Sequence, residues 1–154
     1  FTSGGTGARA TKDGLSATAF PSGVLGTPAE VIESLSPLVI ERKALRPDSG
    51  GDGRFRGGLG QEIAFRVRTR GSYRCSVLCD RTRIPAQGFF GGGPGGRGEV
   101  LINGRAPDNP KAEQVLQPGD LVELRLPGGG GYGPPAARDP AARARDLREG
   151  YVTR

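Results

Sequence analysis

Arg46-Pro-Asp-Ser-Gly-Gly-Asp-Gly-Arg-Phe-Arg-Gly-Gly-Leu-Gly-Gln-Glu62 decides how the rest of the chain is read. Six of these seventeen residues are glycine, and the others are mostly charged or small. An ordinary helix or strand does not carry that composition, because glycine loses more backbone freedom on ordering than any other residue. Two conditions keep such a run inside a folded protein: repeated φ > 0, or close approach of the backbone to something else. A flexible linker is the simpler alternative. Phe55 and Leu59 argue against it, since a solvated linker has no use for them. Asp48, Asp52, Arg54 and Arg56 are expected to place charges at the surface of the stretch.

Outward from it, regular elements are legible on both sides. Gln61 to Arg68 alternates, with Ile63, Phe65 and Val67 inward, and predicts a strand. After a turn at Arg70-Gly71-Ser72, Tyr73, Cys75, Val77 and Cys79 alternate with polar residues. The two strands are expected to pair as an antiparallel hairpin. Upstream, Thr27-Pro-Ala-Glu30 has the form of a capping box and predicts a helix to about Ser36, stopped by Pro37. Leu38 to Leu45 reads as a strand, and the residues before Thr27 are irregular, with a break at Phe20-Pro21. Downstream, Glu99-Val-Leu-Ile meets the hairpin signal Asn103-Gly104. Leu121 to Leu126 is a strand entered through Pro118-Gly-Asp120. Asp139-Pro140 opens a last helix to about Glu149, with Ala141, Ala142, Ala144 and Leu147 as its apolar positions and Gly150 as its end. The expected fold is mainly β (α+β): antiparallel hairpins, long Gly-rich loops and two short helices. It forms a single domain over 1–154, with 137–154 as a C-terminal helix and tail.

Composition narrows the function. Only 34% of the residues are hydrophobic while 28 are glycine, so much of the chain lies outside packed elements. The net charge of +6 raises nucleic acid as a partner. However, 19 of the 22 basic residues are scattered arginines, and three Tyr and six Phe are too few and too dispersed for a base-stacking platform. Nucleic acid is set aside. No apolar run reaches the roughly 18 residues of a membrane span, so no membrane partner is expected. Cys75 and Cys79 would lie roughly 13 Å apart on one strand, beyond disulfide reach, and read as small buried hydrophobes. The cytoplasm is the expected compartment. There is no Met, and the chain reads as a C-terminal fragment of something longer.

Catalytic patterns are missing. With no His, Ser-His-Asp and Cys-His catalysis and most zinc arrangements are excluded, and no metal site is expected. Gly93-Pro-Gly95-Gly-Arg-Gly98 has the G-x-G-x-x-G spacing, but it precedes a strand rather than opening a helix. No Walker-type phosphate loop exists. Four Gly-rich stretches (3–7, 50–60, 88–98 and 128–133) remain as candidates for anion-binding nests of successive N–H groups. The candidate substrate- or anion-binding residues are Arg9, Asp48, Gly50, Gly51, Arg54, Arg56, Gly58, Gly60, Arg97, Gly129, Gly130 and Tyr132. The arginines could add bidentate contacts. The competing reading is architectural: glycines let segments cross tightly, arginines pair with Asp48, Asp52 or Asp80, and Tyr132 anchors packing. The catalytic residues stay unassigned.

The wording of the 46–62 stretch resembles the glycine-rich signature of the hydantoinase B/oxoprolinase family. Ser3-Gly-Gly-Thr-Gly-Ala-Arg9 with Lys12-Asp-Gly14, and Pro118-Gly-Asp120 followed by Pro127-Gly-Gly-Gly-Gly-Tyr-Gly-Pro134, match it in the same order. The resemblance implies the C-terminal portion of a subunit of an ATP-dependent enzyme that opens cyclic amides such as hydantoins and 5-oxoproline. It further implies a hydantoinase A-type partner carrying ATP and Mg, with neither on this chain, and contact with the N-terminal part of its own subunit. Related acetone carboxylases bind a metal through His and carboxylates, so any such ligands would lie outside this chain. A non-catalytic β assembly module of such a complex, or of an acetone-carboxylase-type enzyme, is the alternative.

Overall fold

The computed structural model describes residues 2–19 and 23–154, so the Phe20-Pro21 break lies outside the described residues. The elements in order are α1 (Ala29–Leu35), β1 (Leu38–Leu45), β2 (Gln61–Val67), β3 (Tyr73–Cys75), β4 (Glu99–Ile102), β5 (Gln114–Leu116), β6 (Leu121–Arg125) and α2 (Pro140–Arg148), with a 3-10 turn at Pro135–Ala137. An antiparallel four-stranded sheet runs β1-β2-β6-β4, and β3 and β5 form a separate antiparallel pair.

Several local expectations hold. Asp139 caps α2 by accepting from the Ala141 N–H, and Gly150 (φ 70°) follows the end of the helix. Asn103 (φ 51°) and Gly104 (φ 77°) form the tight turn expected of Asn-Gly. Other expectations are corrected. Pro28, not Thr27, occupies the cap position of α1, with no side-chain cap bond. The strand beginning at Tyr73 stops at Cys75 and pairs with β5, so the β2–β3 hairpin does not form; β2 lies between β1 and β6. The Asn103-Gly104 hairpin is short: Ile102 and Arg105 exchange two backbone hydrogen bonds (2.8 and 3.0 Å), while β4 as a whole ladders with β6. Cys79 is buried and Cys75 half-buried, both free.

The Gly-rich stretches are not loops around a sheet; they are its continuation. β1 runs into 46–53, β2 is entered from 55–60, β4 from 92–98, and β6 leaves through 127–131. These four segments keep the order of the sheet: Gly57 donates to Gly51 O (2.9 Å), Gly129 to Gly58 O (2.9 Å) and Gly128 to Gly96 O (3.1 Å). They also close it, because Gly96 donates to Ser49 O (2.7 Å) and Gly93 to Asp52 O (2.7 Å), joining the outer two. Segment 4–8 adds itself to the centre through Gly5 to Pro127 O and Ala8 to Gly130 O.

The bonding repeats every three residues. Gly128 and Gly131 reach Gly96 and Gly93, and Gly5 and Ala8 reach Pro127 and Gly130. A β ladder returns to a neighbour every two residues; an interval of three belongs to the left-handed extended helix with three residues per turn. Between those contacts the same segment faces other neighbours, and a bundle results in place of a sheet.

No side chain fits between such chains. A Cβ on Gly128 would lie 1.7 Å from Ser49 O, on Gly5 1.8 Å from Gly58 O, and on Gly57 1.9 Å from Gly129 O. None of the six glycines in 46–62 has positive φ; the one left-handed residue there is Asp48, at φ 57°. Close backbone approach, not φ > 0, is therefore the reason for the glycines. The side-chain core is small. Val100, Cys79 and Leu126 form its cluster, Val122 and Ile63 are buried in the sheet, and Leu59 (1% exposed) is buried where the bundle meets β2.

Candidate functional site

α2 lacks an apolar stripe. Its sequence is Pro-Ala-Ala-Arg-Ala-Arg-Asp-Leu-Arg; its buried residue is Asp146, and Leu147 is exposed. A polar helix has to be held by something other than hydrophobic burial. Charge does it here. Asp146 Oδ2 accepts a hydrogen bond from Arg138 Nη2 and lies 3.5 Å from Arg56 Nε. Arg138 also makes a bidentate pair with Asp13, 2.9 Å to each oxygen, and Asp13 accepts the Arg56 backbone N–H at 2.7 Å. Arg56 Nη1 donates to Gly57 O (2.7 Å), and its guanidinium lies over the Tyr151 ring at 5.2 Å. Three distant parts of the chain, around residues 13, 56 and 138–151, are thus pinned at one point.

The side chains of Arg56 and Asp146 are only 7% and 3% exposed. Removing one partner from such a buried pair costs about 3–5 kcal/mol, whereas an exposed pair such as Arg74–Glu113 contributes little. Burial pushes the Asp13 carboxyl up, but the Arg138 hydrogen bond, the Arg56 N–H and the two guanidinium charges outweigh it and hold Asp13 below its ordinary range. Asp13 in turn raises Arg138 further, against the effect of burial. Both shifts favour the charged forms. Beside this network lies a cleft of about 240 Å³, lined by Arg56, Arg138, Arg143, Arg154, Asp52 and Asp146 among others.

The residues singled out from the sequence separate into distinct places. Gly50, Gly51, Gly58, Gly60, Gly129 and Gly130 are all buried in the bundle. The N–H groups of Gly51, Gly58 and Gly129 go to Gly129 O, Thr6 O and Gly58 O, and that of Gly60 to Ser49 Oγ. Those four are unavailable to an anion. Arg56 is the one candidate placed in the network. Arg54 is exposed over the Phe55 ring, at 5.4 Å. Arg9 and Arg97 are exposed, the latter accepting Arg46 Nη1 on its carbonyl. Asp48 accepts the Thr153 N–H and hydroxyl, which tie down the tail and hold its carboxyl below the ordinary range. The Tyr132 ring packs at a tilt against Phe90, 5.2 Å between centroids, and its backbone bridges to Phe55 and Phe89. Asp13, Arg138, Asp146, Arg143 and Arg154 did not figure among the candidates. One signal for Asp146 was present: a lone acid among three arginines on a helix too poor in apolar residues to pack otherwise.

Residues 1–135 match the family model described as hydantoinase B/oxoprolinase. A relative from Pseudomonas sp. (strain NS671), described as the B-type subunit of a D-/L-hydantoinase, is 33% identical over 98% of this chain and 26% of its own length. Among solved structures, nucleotide-free acetone carboxylase superposes with a TM-score of 0.74 and 26% identity over 97% of this chain and 25% of that one. The ATP-dependent caprolactamase of Pseudomonas jessenii does so with 0.70 and 26% over 98% and 28%. The chain therefore spans about a quarter of the length of these relatives. No helix among the described residues is long and apolar enough to cross a membrane.

Proposed function

This chain belongs to the hydantoinase B/oxoprolinase family, and from that premise we propose that it is the C-terminal part of a subunit that hydrolyses a cyclic amide with ATP as co-substrate. The observation that carries the reading is the likeness, along almost the whole chain, to an ATP-dependent caprolactamase. In the proposed reaction the amide oxygen attacks the γ-phosphoryl group of ATP and ADP leaves. Water then adds to the activated carbon and the C–N bond breaks with the nitrogen taking a proton, which leaves an acyl phosphate; a second water hydrolyses it to the carboxylate and phosphate departs. ATP and Mg reside on a hydantoinase A-type partner, in the cytoplasm. In this division of labour the present chain supplies shape. Its glycine bundle is a rigid block against which the rest of the subunit and the partner are organised.

A second reading rests on the similarity to acetone carboxylase: the same block would serve a carboxylating complex. One assay separates them. Full-length subunit and A-type partner are supplied with ATP and, in turn, hydantoin, N-methylhydantoin, 5-oxoproline, caprolactam, or acetone with bicarbonate. ADP release dependent on a cyclic amide is the expected result. Release dependent on acetone and bicarbonate moves the protein to the carboxylase branch. Silence on all of them, with both subunits folded and associated, overturns both readings.

A further inference from the structure

We propose that the cleft between the glycine bundle and α2 binds a small oxyanion, a phosphate or carboxylate group, through Arg56, Arg143 and Arg154. The cleft lining carries four guanidinium groups against the two carboxylates of Asp52 and Asp146, so positive charge is in excess. Arg138 is committed to Asp13 and Asp146. Arg56 is not fully used: Nη1 is bonded to Gly57 O, Nε lies 3.5 Å from Asp146 without a hydrogen bond, and Nη2 has no hydrogen-bond partner among the described residues. Arg143 makes no side-chain hydrogen bond or ion pair among the described residues. Arg154 lies close enough to Asp48 to help lower its carboxyl, without pairing with it.

Arg56 is also fixed in advance. The Tyr151 ring, Gly57 O and Asp146 hold its guanidinium in one orientation, so binding does not have to order that side chain. A planar guanidinium presented in this way suits the paired oxygens of a carboxylate or phosphate. Arg143 and Arg154, both exposed, can close over the anion from the helix and the tail. At about 240 Å³ the cleft falls below the roughly 300 Å³ at which pockets begin to hold drug-sized ligands. It admits a small anion or the charged end of a larger one, not a nucleotide.

The experiment is equilibrium titration of the full-length subunit with inorganic phosphate and, separately, acetate at low ionic strength, by calorimetry. The same titrations are repeated on the double variant Arg143→Gln/Arg154→Gln, whose exposed positions leave the buried network intact. Saturable binding of one equivalent is expected, weakened about tenfold or more in the variant, the loss of roughly one charge-assisted contact. Tighter phosphate binding identifies a phosphoryl group as the ligand, and tighter acetate binding a carboxylate. Absence of saturable binding of either anion overturns the proposal, as does equal binding by parent and variant. Neither readout uses turnover, so the site can fail while the hydrolase reading stands, and the reverse.

Discussion

The four-stranded sheet and the glycine bundle are built from the same four chain paths in the same order, yet they are stabilised in different ways. In the sheet, strands are spaced by the ladder and side chains such as Val122 and Val100 fill the faces. In the bundle the backbone itself is the filling, and the outer two paths, open edges in the sheet, meet through Gly96–Ser49 and Gly93–Asp52. Removing side chains lets an open sheet close on itself at one end. Tolerance to substitution should therefore fall abruptly between the two regions.

The severest break in this comparison is Gly128→Ala. The added methyl would sit 1.7 Å from a backbone oxygen that cannot swing away as a side chain could. The expected cost exceeds about 4 kcal/mol, beyond ordinary overpacking. Soluble yield and thermal unfolding check it; a variant within about 1 kcal/mol of the parent would show that the bundle is not packed backbone to backbone.

An intermediate effect is expected at the network that staples the bundle to α2. Asp13 has its folded-state carboxyl held below the ordinary value of 3.8. Its contribution is thus fully present above the unfolded value and is lost as pH falls through the lowered folded value. Asp13→Asn should cost about 2 kcal/mol at neutral pH, the scale of hydrogen bonds to a charged group. It should also flatten the acid limb of stability. Denaturant midpoints measured between about pH 2 and about pH 7 test both. An acid limb as steep as the parent's would place the sensitivity elsewhere.

The smallest effect sharpens the contrast. Gly71, in the turn before β3, has open space around its Cβ position and no positive φ. Gly71→Ala should leave stability unchanged or raise it by up to about 1 kcal/mol, through reduced freedom of the unfolded chain. Chemical denaturation beside Gly128→Ala gives the two extremes of one substitution. A loss at Gly71 comparable to that at Gly128 would dissolve the distinction between the regions.

Much of the local structure was legible because its causes are local. Asp139-Pro140 announces α2 and Pro118-Gly-Asp120 a turn, each through bonds spanning a few residues. The β2–β3 hairpin failed because pairing is not local: β6, some fifty residues further on, occupies the edge of β2 that β3 would have used. Of the site, Arg56 was legible as a charge in the central stretch. Asp13, Arg138 and Asp146 were not, since no spacing rule links residues that meet only after three segments converge.

Legible in the chain alone are the family, the mainly antiparallel β character, the two short helices and the demand that the 46–62 backbone lie against something. All of these are written in local composition and order. What that something is comes from the three-dimensional arrangement: other glycine backbones, returning from residues 4–8, 93–98 and 127–131. That arrangement alone decided that an arginine of the central stretch would be neutralised by an aspartate ninety residues away. Glycine carries no side chain to name its neighbour. Its partners are specified by where the flanking strands lead the chain, and that is set only when the sheet has formed.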